Sequence, residues 1–254
     1  METIIKSAGK NYKLDVSGKQ LTFLDQRYYY THAGNYVPSV TTILDAYPKS
    51  AQFYDWLKKN GEESDNIRDE AGRRGSVVHE LTEHYDMGIE VFLMDDNGYI
   101  AYKLNEWAMF ERYVEFRRRF SFDILHTEMN IVSDKLGFAG TLDRVIELDG
   151  RKILVDIKTS NTIYPSYWLQ LAAYEKLLEE NNIIVDDSAI LWLNAKTKTE
   201  GKKGDMQGPG YQFILRGGDS AKDWQLFQAT QALWLAENGS AKPRQMTYSL
   251  SHKY

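Results

Sequence analysis

Asp149-Gly150 separates two β-type runs, Gly140–Leu148 and Lys152–Lys158, and this pair restricts the fold more than any other feature. A two-residue Asp-Gly connection reads as a tight hairpin, because both residues accept a positive φ and the turn's twist matches that of the strands. In the second run Ile153, Val155 and Ile157 alternate with Leu154, Asp156 and Lys158. Strand side chains alternate faces, so Asp156 and Lys158 project to one side and the branched residues fill the other. Closing the hairpin also brings Asp143 near Asp156, close enough for both carboxylates to reach one ion.

The flanking elements follow from the same kind of pattern. Residues 12–31 carry alternation and turn residues and read as an antiparallel meander. Ser39 is a candidate N-cap for a brief helix ending near Pro48, and residues 51–60 form another short helix. A longer helix spans about 64–87. Its Gly72, Gly75 and Ser76 precede His79 and allow close approach of another backbone. Residues 99–120 read as an aromatic-rich helix ending in Arg117-Arg118-Arg119, and Phe122–Val132 as a strand. Beyond the hairpin come a helix over Pro165–Asn181, strands at Ser188–Leu193 and Tyr211–Leu215, and a last helix near 219–237. The Asp95-Asp96-Asn97-Gly98 run reads as a turn, since it lacks the later glutamate of a calcium loop.

Composition narrows the class. Hydrophobic residues make up 43% and charged residues 26%, as expected of a soluble folded chain rather than a disordered one. No apolar run approaches the roughly 20 residues of a membrane span, and the first residues lack a secretory or transit signature, so a cytoplasmic protein without a membrane partner is expected. Zero cysteines exclude disulfides and Cys-ligated iron–sulfur clusters. A net charge of -5 argues against coating nucleic acid by bulk electrostatics, yet it is compatible with a carboxylate-rich enzyme acting on it. The 13% aromatic content would suit base stacking, although core and sheet packing account for most of it.

The residue types around the hairpin suit metal chemistry. An aspartate binds a hard divalent cation through oxygen, and a lysine two residues on can orient a water or offset charge on a phosphate. An isolated Asp-x-Lys is usually a charge pair, so the neighbours matter. Gln170 and Tyr174 are four apart on the following helix and share a face, and His79 supplies an imidazole from a separate helix.

Four segments then appear in order: Gly75-Ser76-Val77-Val78-His79, Gly140-Thr141-Leu142-Asp143, Val155-Asp156-Ile157-Lys158-Thr159 and Gln170-Leu171-Ala172-Ala173-Tyr174. Together they resemble the PD-(D/E)XK nuclease superfamily, and within it the RecB-type exonuclease branch. Pro38-Ser39-Val40-Thr41 is similar to the mitochondrial genome maintenance exonuclease and related phage exonucleases. The likeness spans about residues 36–195. It implies an α/β, restriction-endonuclease-like αβββαβ core with a mixed central sheet flanked by helices, plus an N-terminal β meander and a helical insertion.

The resemblance also implies roles. His79, Asp143, Asp156 and the backbone carbonyl of Ile157 would ligate Mg²⁺ or Mn²⁺. Lys158 would position the attacking water, Gln170 and Tyr174 would steady it or touch the DNA backbone, and Glu128 is a further acidic candidate. Arg73, Arg74 and Arg144 are the candidates for phosphate contact, with Arg117–Arg119 more simply a solvated helix face. Leu142 stands where some relatives have proline, and there is no P-loop motif and so no motor.

The expected organisation is one nuclease domain over 1–254. Its parts are 1–48 (meander), 49–120 (helices with His79), 121–195 (catalytic core) and 196–254 (hairpin and helix), with a basic Lys196–Lys203 loop. The expected activity is that of a Mg²⁺/Mn²⁺ exonuclease on single-stranded DNA or DNA ends, in phage-type replication, recombination or repair. A flap or junction endonuclease, and a binding protein that kept the fold, remain open. The other four histidines carry no motif and receive no role.

Overall fold

The computed structural model describes residues 3–7, 10–14, 19–24, 26–195, 210–239 and 243, the first two segments as backbone. The Lys196–Lys203 loop and His252 lie outside the described residues.

The hairpin forms as its turn residues require. Strands β7 (Phe138–Leu148) and β8 (Arg151–Lys158) pair antiparallel with Leu148 opposite Arg151. Asp149 and Gly150 take φ of 52° and 73°, the left-handed pair this turn needs. Strand β6 (Asp123–Ser133) pairs antiparallel on the far side of β7, with a bulge between Ile124 and His126. On the other side β8 runs parallel to β9 (Asp187–Trp192), which pairs antiparallel with β10 (Gln212–Leu215). The sheet is therefore mixed and five-stranded, in the order β10-β9-β8-β7-β6. The parallel step needs a crossover, and α5 (Pro165–Glu180) supplies it.

Alternation along β8 sorts the two cores. Leu154 packs with Leu142, Val145 and Ile190 against α5, α1 (Val40–Leu44) and α6 (Ala221–Asn238). Ile153, Val155 and Ile157 pack on the opposite face with Val78 of α3 (Glu63–Asp86) and with Met109, Tyr113 and Phe116 of α4 (Leu104–Arg119). Each fully buried aliphatic side chain of these layers contributes about 1.5–3 kcal/mol by leaving water. Helix α2 (Ala51–Asn60) precedes α3 and buries none of its residues fully. Among the described residues no helix is long and apolar enough to cross a membrane.

Two expectations change. Residues 12–14 do not join the meander. They belong to β2 (Lys10–Leu14), which pairs back on β1 (Thr3–Ser7) in a separate hairpin. The three-stranded meander is β3 (Gln20–Phe23), β4 (Gln26–Tyr30) and β5 (Tyr36–Pro38), its third strand coming after a turn with Gly34 at φ 84°. Helix α4 starts at Leu104, later than residue 99, because the Glu106 carboxylate accepts the backbone N–H of Lys103 at 2.9 Å and fixes the N-terminus there. The preceding residues fold over the Asp95–Gly98 turn, bridging Met94 to Ile100.

The meander is fastened to β7. Tyr29, fully buried, hydrogen-bonds Thr141 Oγ1 through its hydroxyl at 2.8 Å, and Ser39 bridges to Ala139. Ser39 also caps α1, accepting the Thr42 N–H at 2.9 Å, as its position ahead of that helix suggests.

Candidate active site

Strand register places three acids in one row across the sheet. The Arg144–Val155 pair sets Asp143 opposite Asp156, and the Thr127–Arg144 and Met129–Leu142 pairs set Glu128 opposite Asp143. Glu128 has φ 43° in mid-strand, a left-handed conformation that costs a non-glycine residue about 1–3 kcal/mol and re-aims its side chain.

Helix α3 supplies His79 from one layer. Its Nδ1 lies 3.5 Å from Asp143 Oδ1 and 3.8 Å from Glu128 Oε1. Its Nε2 lies 3.1 Å from the carbonyl oxygen of Ile157, which can only accept. Nδ1 faces the two carboxylates, so in the ion-free protein it carries a proton toward them, and an ion binding there would take that proton's place. The backbone N–H of Ile157 donates to Asp143 Oδ2 at 2.6 Å, so one residue steadies both His79 and Asp143.

Helix α5 supplies the other layer. Lys158 Nζ stands 2.6 Å from Asp156 Oδ2 and donates to Gln170 Oε1 at 2.9 Å. Gln170 Nε2 donates to Asp156 Oδ1 at 3.2 Å and to the Tyr174 hydroxyl at 3.1 Å. The Gln170 amide thus spans the Asp-x-Lys pair, and Tyr174 holds the amide. Lys158 also lies 4.4 Å from the centre of the Tyr167 ring, a cation–π contact.

Charge coupling sets the protonation states. Burial opposes a charged His79, but the carboxylates of Asp143 and Glu128 outweigh it and hold the imidazole up to about 9. Burial pushes Asp156 up to about 6 against the pull of Lys158, with the Asp143 charge adding to the rise. Glu128 is lowered despite its burial by His79 and Arg144, and Lys158 is raised despite its burial by Asp156 and Asp143.

These groups suit a divalent cation. His79, Glu128 and Asp143 each offer a ligand atom, all within 4.8 Å of one another. One imidazole nitrogen with carboxylate oxygens is a donor set for Mg²⁺- or Mn²⁺-type ions. Asp156 Oδ2 is buried and makes no aligned hydrogen bond in spite of its close ion-pair contact with Lys158, which leaves it a lone pair for a cation. The cluster includes Glu128, the further acidic candidate of the sequence. The geometry sets the Ile157 carbonyl against Nε2, on the other edge of the imidazole from Glu128.

The predicted phosphate contacts fare differently. Arg144 is 2% exposed. Its guanidinium donates to Asp86 Oδ2 at 2.8 Å, to the Asp143 carbonyl at 2.7 Å and to Glu128 Oε1 at 3.3 Å. It is thus an internal strut behind the acids, closed to a strand of DNA. Alternation gives the reason, since Arg144 adjoins Asp143 and must face the opposite side of β7. Arg73 is half-exposed and ion-paired to Glu70 and Glu106. Arg74 reaches the Thr159 carbonyl at 3.5 Å. Arg117 pairs with Asp86 at 3.3 Å and covers the Phe122 ring, while Arg118 and Arg119 are exposed.

Gly72 and Gly75 also differ from expectation. A Cβ on Gly72 would meet open space, and one on Gly75 only ordinary contact with Thr159 Oγ1 at 3.6 Å. Gly140 makes room for the Tyr174 ring.

The site opens into a cavity of about 400 Å³ that holds Asp143, Asp156, Lys158 and His79. Its other walls contain groups not singled out from the sequence, among them Glu80, Glu83, Gln20 and Arg27. Glu83 was legible in principle, four residues after His79 on one helix face. Gln20 and Arg27 reach the cavity only through docking of the meander, and Thr41 of α1 lines the cavity with them.

The chain belongs to the PD-(D/E)XK nuclease superfamily, whose sequence profile matches residues 51–248. Membership implies a metal-dependent phosphodiesterase with a nucleic-acid substrate. No curated protein matches the chain. Among solved structures, the crystal structure of SSO0001 is similar at 15% identity over 55% of this chain and 68% of that one, with a TM-score of 0.26.

Proposed function

We propose that this chain is a Mg²⁺- or Mn²⁺-dependent deoxyribonuclease of the RecB-type branch. In this reading it is an exonuclease on single-stranded DNA or DNA ends, serving phage-type replication, recombination or repair, with residues 1–254 as one nuclease domain. The observation that carries the reading is the convergence of His79, Glu128, Asp143, Asp156 and Lys158 on one cavity. The order of the Gly75–His79 and Gln170–Tyr174 segments around the acids supports the branch.

His79 through Nδ1, Asp143 and Glu128, with Asp156 adjoining, would hold the cation, and the Ile157 carbonyl would hold the far edge of the imidazole. Such an ion lowers the pKa of a bound water and offsets charge on the phosphate. Lys158 stays protonated beside Asp156, so its ammonium orients the water and stabilises charge growing on the phosphate oxygens. Gln170, holding both members of the pair, keeps that ammonium in place, and Tyr174 backs Gln170.

End-labelled linear and covalently closed circular DNA, single- and double-stranded, with Mg²⁺, Mn²⁺ or EDTA, test this directly. The expected result is divalent-dependent loss of linear single strands with circles spared, abolished in Lys158→Ala. Cleaved circles would overturn the exonuclease assignment, and failure to cleave any substrate would overturn the nuclease itself.

A further inference from the structure

The cavity walls are strongly acidic, with Glu80, Glu83, Glu128, Asp143 and Asp156 all facing it. A polyanionic strand entering such a space needs compensating positive charge. Among the described residues, two Lys or Arg side chains line the cavity, Lys158 and Arg27. Lys158 is committed to Asp156 at 2.6 Å, and His79 to Asp143 and Glu128. Arg27 is exposed, and among the described residues no carboxylate or other side chain pairs with its guanidinium.

Its backbone is nonetheless rigidly held. The Arg27 N–H donates to Thr42 Oγ1 at 3.0 Å, and its carbonyl accepts from Ser39 N at 2.8 Å and from Thr42 Oγ1 at 3.2 Å. Two strand-to-helix clamps thus fix the residue, and Tyr29 two positions on ties the same strand to Thr141, beside Asp143. A fixed backbone carrying an uncommitted guanidinium into an acidic cavity is a recognition element rather than a structural one.

We propose that Arg27 contacts a phosphate of the bound strand next to the scissile one, with the neighbouring Thr41 hydroxyl and Gln20 amide as neutral partners on the same wall. A guanidinium matches phosphate oxygens in a bidentate fork and carries no base information, as a sequence-independent nuclease requires. Residues 20–41 precede the 51–248 span of the superfamily match. The inference rests on the nuclease reading above.

Oligonucleotides bearing one uncharged methylphosphonate at successive positions around the cleavage point test it, with the full-length wild type, Arg27→Ala and Arg27→Lys. Arg27→Ala is expected to raise KM about tenfold with little change in kcat, as for loss of one charge-assisted hydrogen bond. It should also flatten the logarithmic salt dependence of binding by about 0.7, one phosphate contact on a single strand. One methylphosphonate position should penalise the wild type and not Arg27→Ala, and Arg27→Lys should recover part of the loss. If the wild type cleaves while Arg27→Ala keeps its KM, salt slope and methylphosphonate profile, the inference is wrong and the nuclease reading stands. If the wild type neither binds nor cleaves, both fall.

Discussion

Tyr174 occupies the space that a side chain on Gly140 would need. A Cβ at Gly140 would come within 3.2 Å of Tyr174 Cδ1 and Cζ and closer still to Cε1. The ring so seated presents its hydroxyl to Gln170, which in turn holds Lys158 and Asp156. A glycine on one strand therefore positions a lysine on the next.

Gly140→Ala should consequently lower kcat far more than it lowers stability. Displacing Tyr174 loosens Gln170 and the ammonium, and misplacement of about 1 Å costs on the order of a hundredfold. The overpacking itself costs about 1–3 kcal/mol. Steady-state kinetics beside urea unfolding separate the two effects. Adding Tyr174→Leu to Gly140→Ala should relieve the strain and restore stability without restoring kcat.

Arg144 anchors a buried network in which Asp86 also binds Tyr113 at 2.5 Å and Arg117 at 3.3 Å. Arg144→Met should destabilise the fold by about 3–5 kcal/mol, because acids are left inside without their partner. Asp86→Asn in the Arg144→Met background removes one stranded charge and should return part of that loss. Equilibrium urea denaturation reads both changes, and an unchanged midpoint for Arg144→Met would contradict the network's role.

Glu128 separates two roles for the acid row. If it is a ligand, Glu128→Gln weakens Mn²⁺ binding by about 10–100-fold, within the range seen when a group orienting or completing a metal site is lost. Calorimetric titration of Mn²⁺ into the wild type, Glu128→Gln and Asp143→Asn measures it. Unchanged Mn²⁺ affinity in Glu128→Gln, with loss in Asp143→Asn, would restrict Glu128 to holding His79.

Stability in EDTA should fall as pH rises from 5 to 9. His79 is raised to about 9 from an unfolded value near 6.5, so its contribution is complete below about 6.5 and disappears through about 9. Asp156 is raised to about 6, so ionising it between about 4 and 6 also disfavours the folded state. Glu128 acts oppositely, but its lowered titration falls below this window. Melting curves with and without Mn²⁺ check this. The stabilisation given by Mn²⁺ should grow with pH, since protons and the ion compete for the same atoms.

Much of this was legible in the sequence because the decisive contacts are local. Asp149-Gly150 determines the register, the register puts Asp143 opposite Asp156, and helical spacing puts Gln170 beside Tyr174. What was not legible depends on packing between distant segments or on backbone exceptions. The left-handed backbone at Glu128 breaks the strand pattern that would have aimed it. Arg27 has no motif and gains meaning only when the meander docks. Arg144, a candidate for phosphate contact, is instead buried behind the acids, where two-residue periodicity along β7 turns it away from the face of Asp143.

The way the meander is fastened bears on the order of assembly. The acid row closes through two neighbouring antiparallel pairings within residues 123–158, and such short-range contacts form with little loop-closure entropy. The Tyr29–Thr141 hydrogen bond that holds the Arg27 wall joins residues 112 positions apart. During refolding, the acid row should thus become organised before the wall that carries Arg27 arrives. Mn²⁺ protection would then precede oligonucleotide binding in time, and cation availability would act on a folding intermediate as well as on the finished protein.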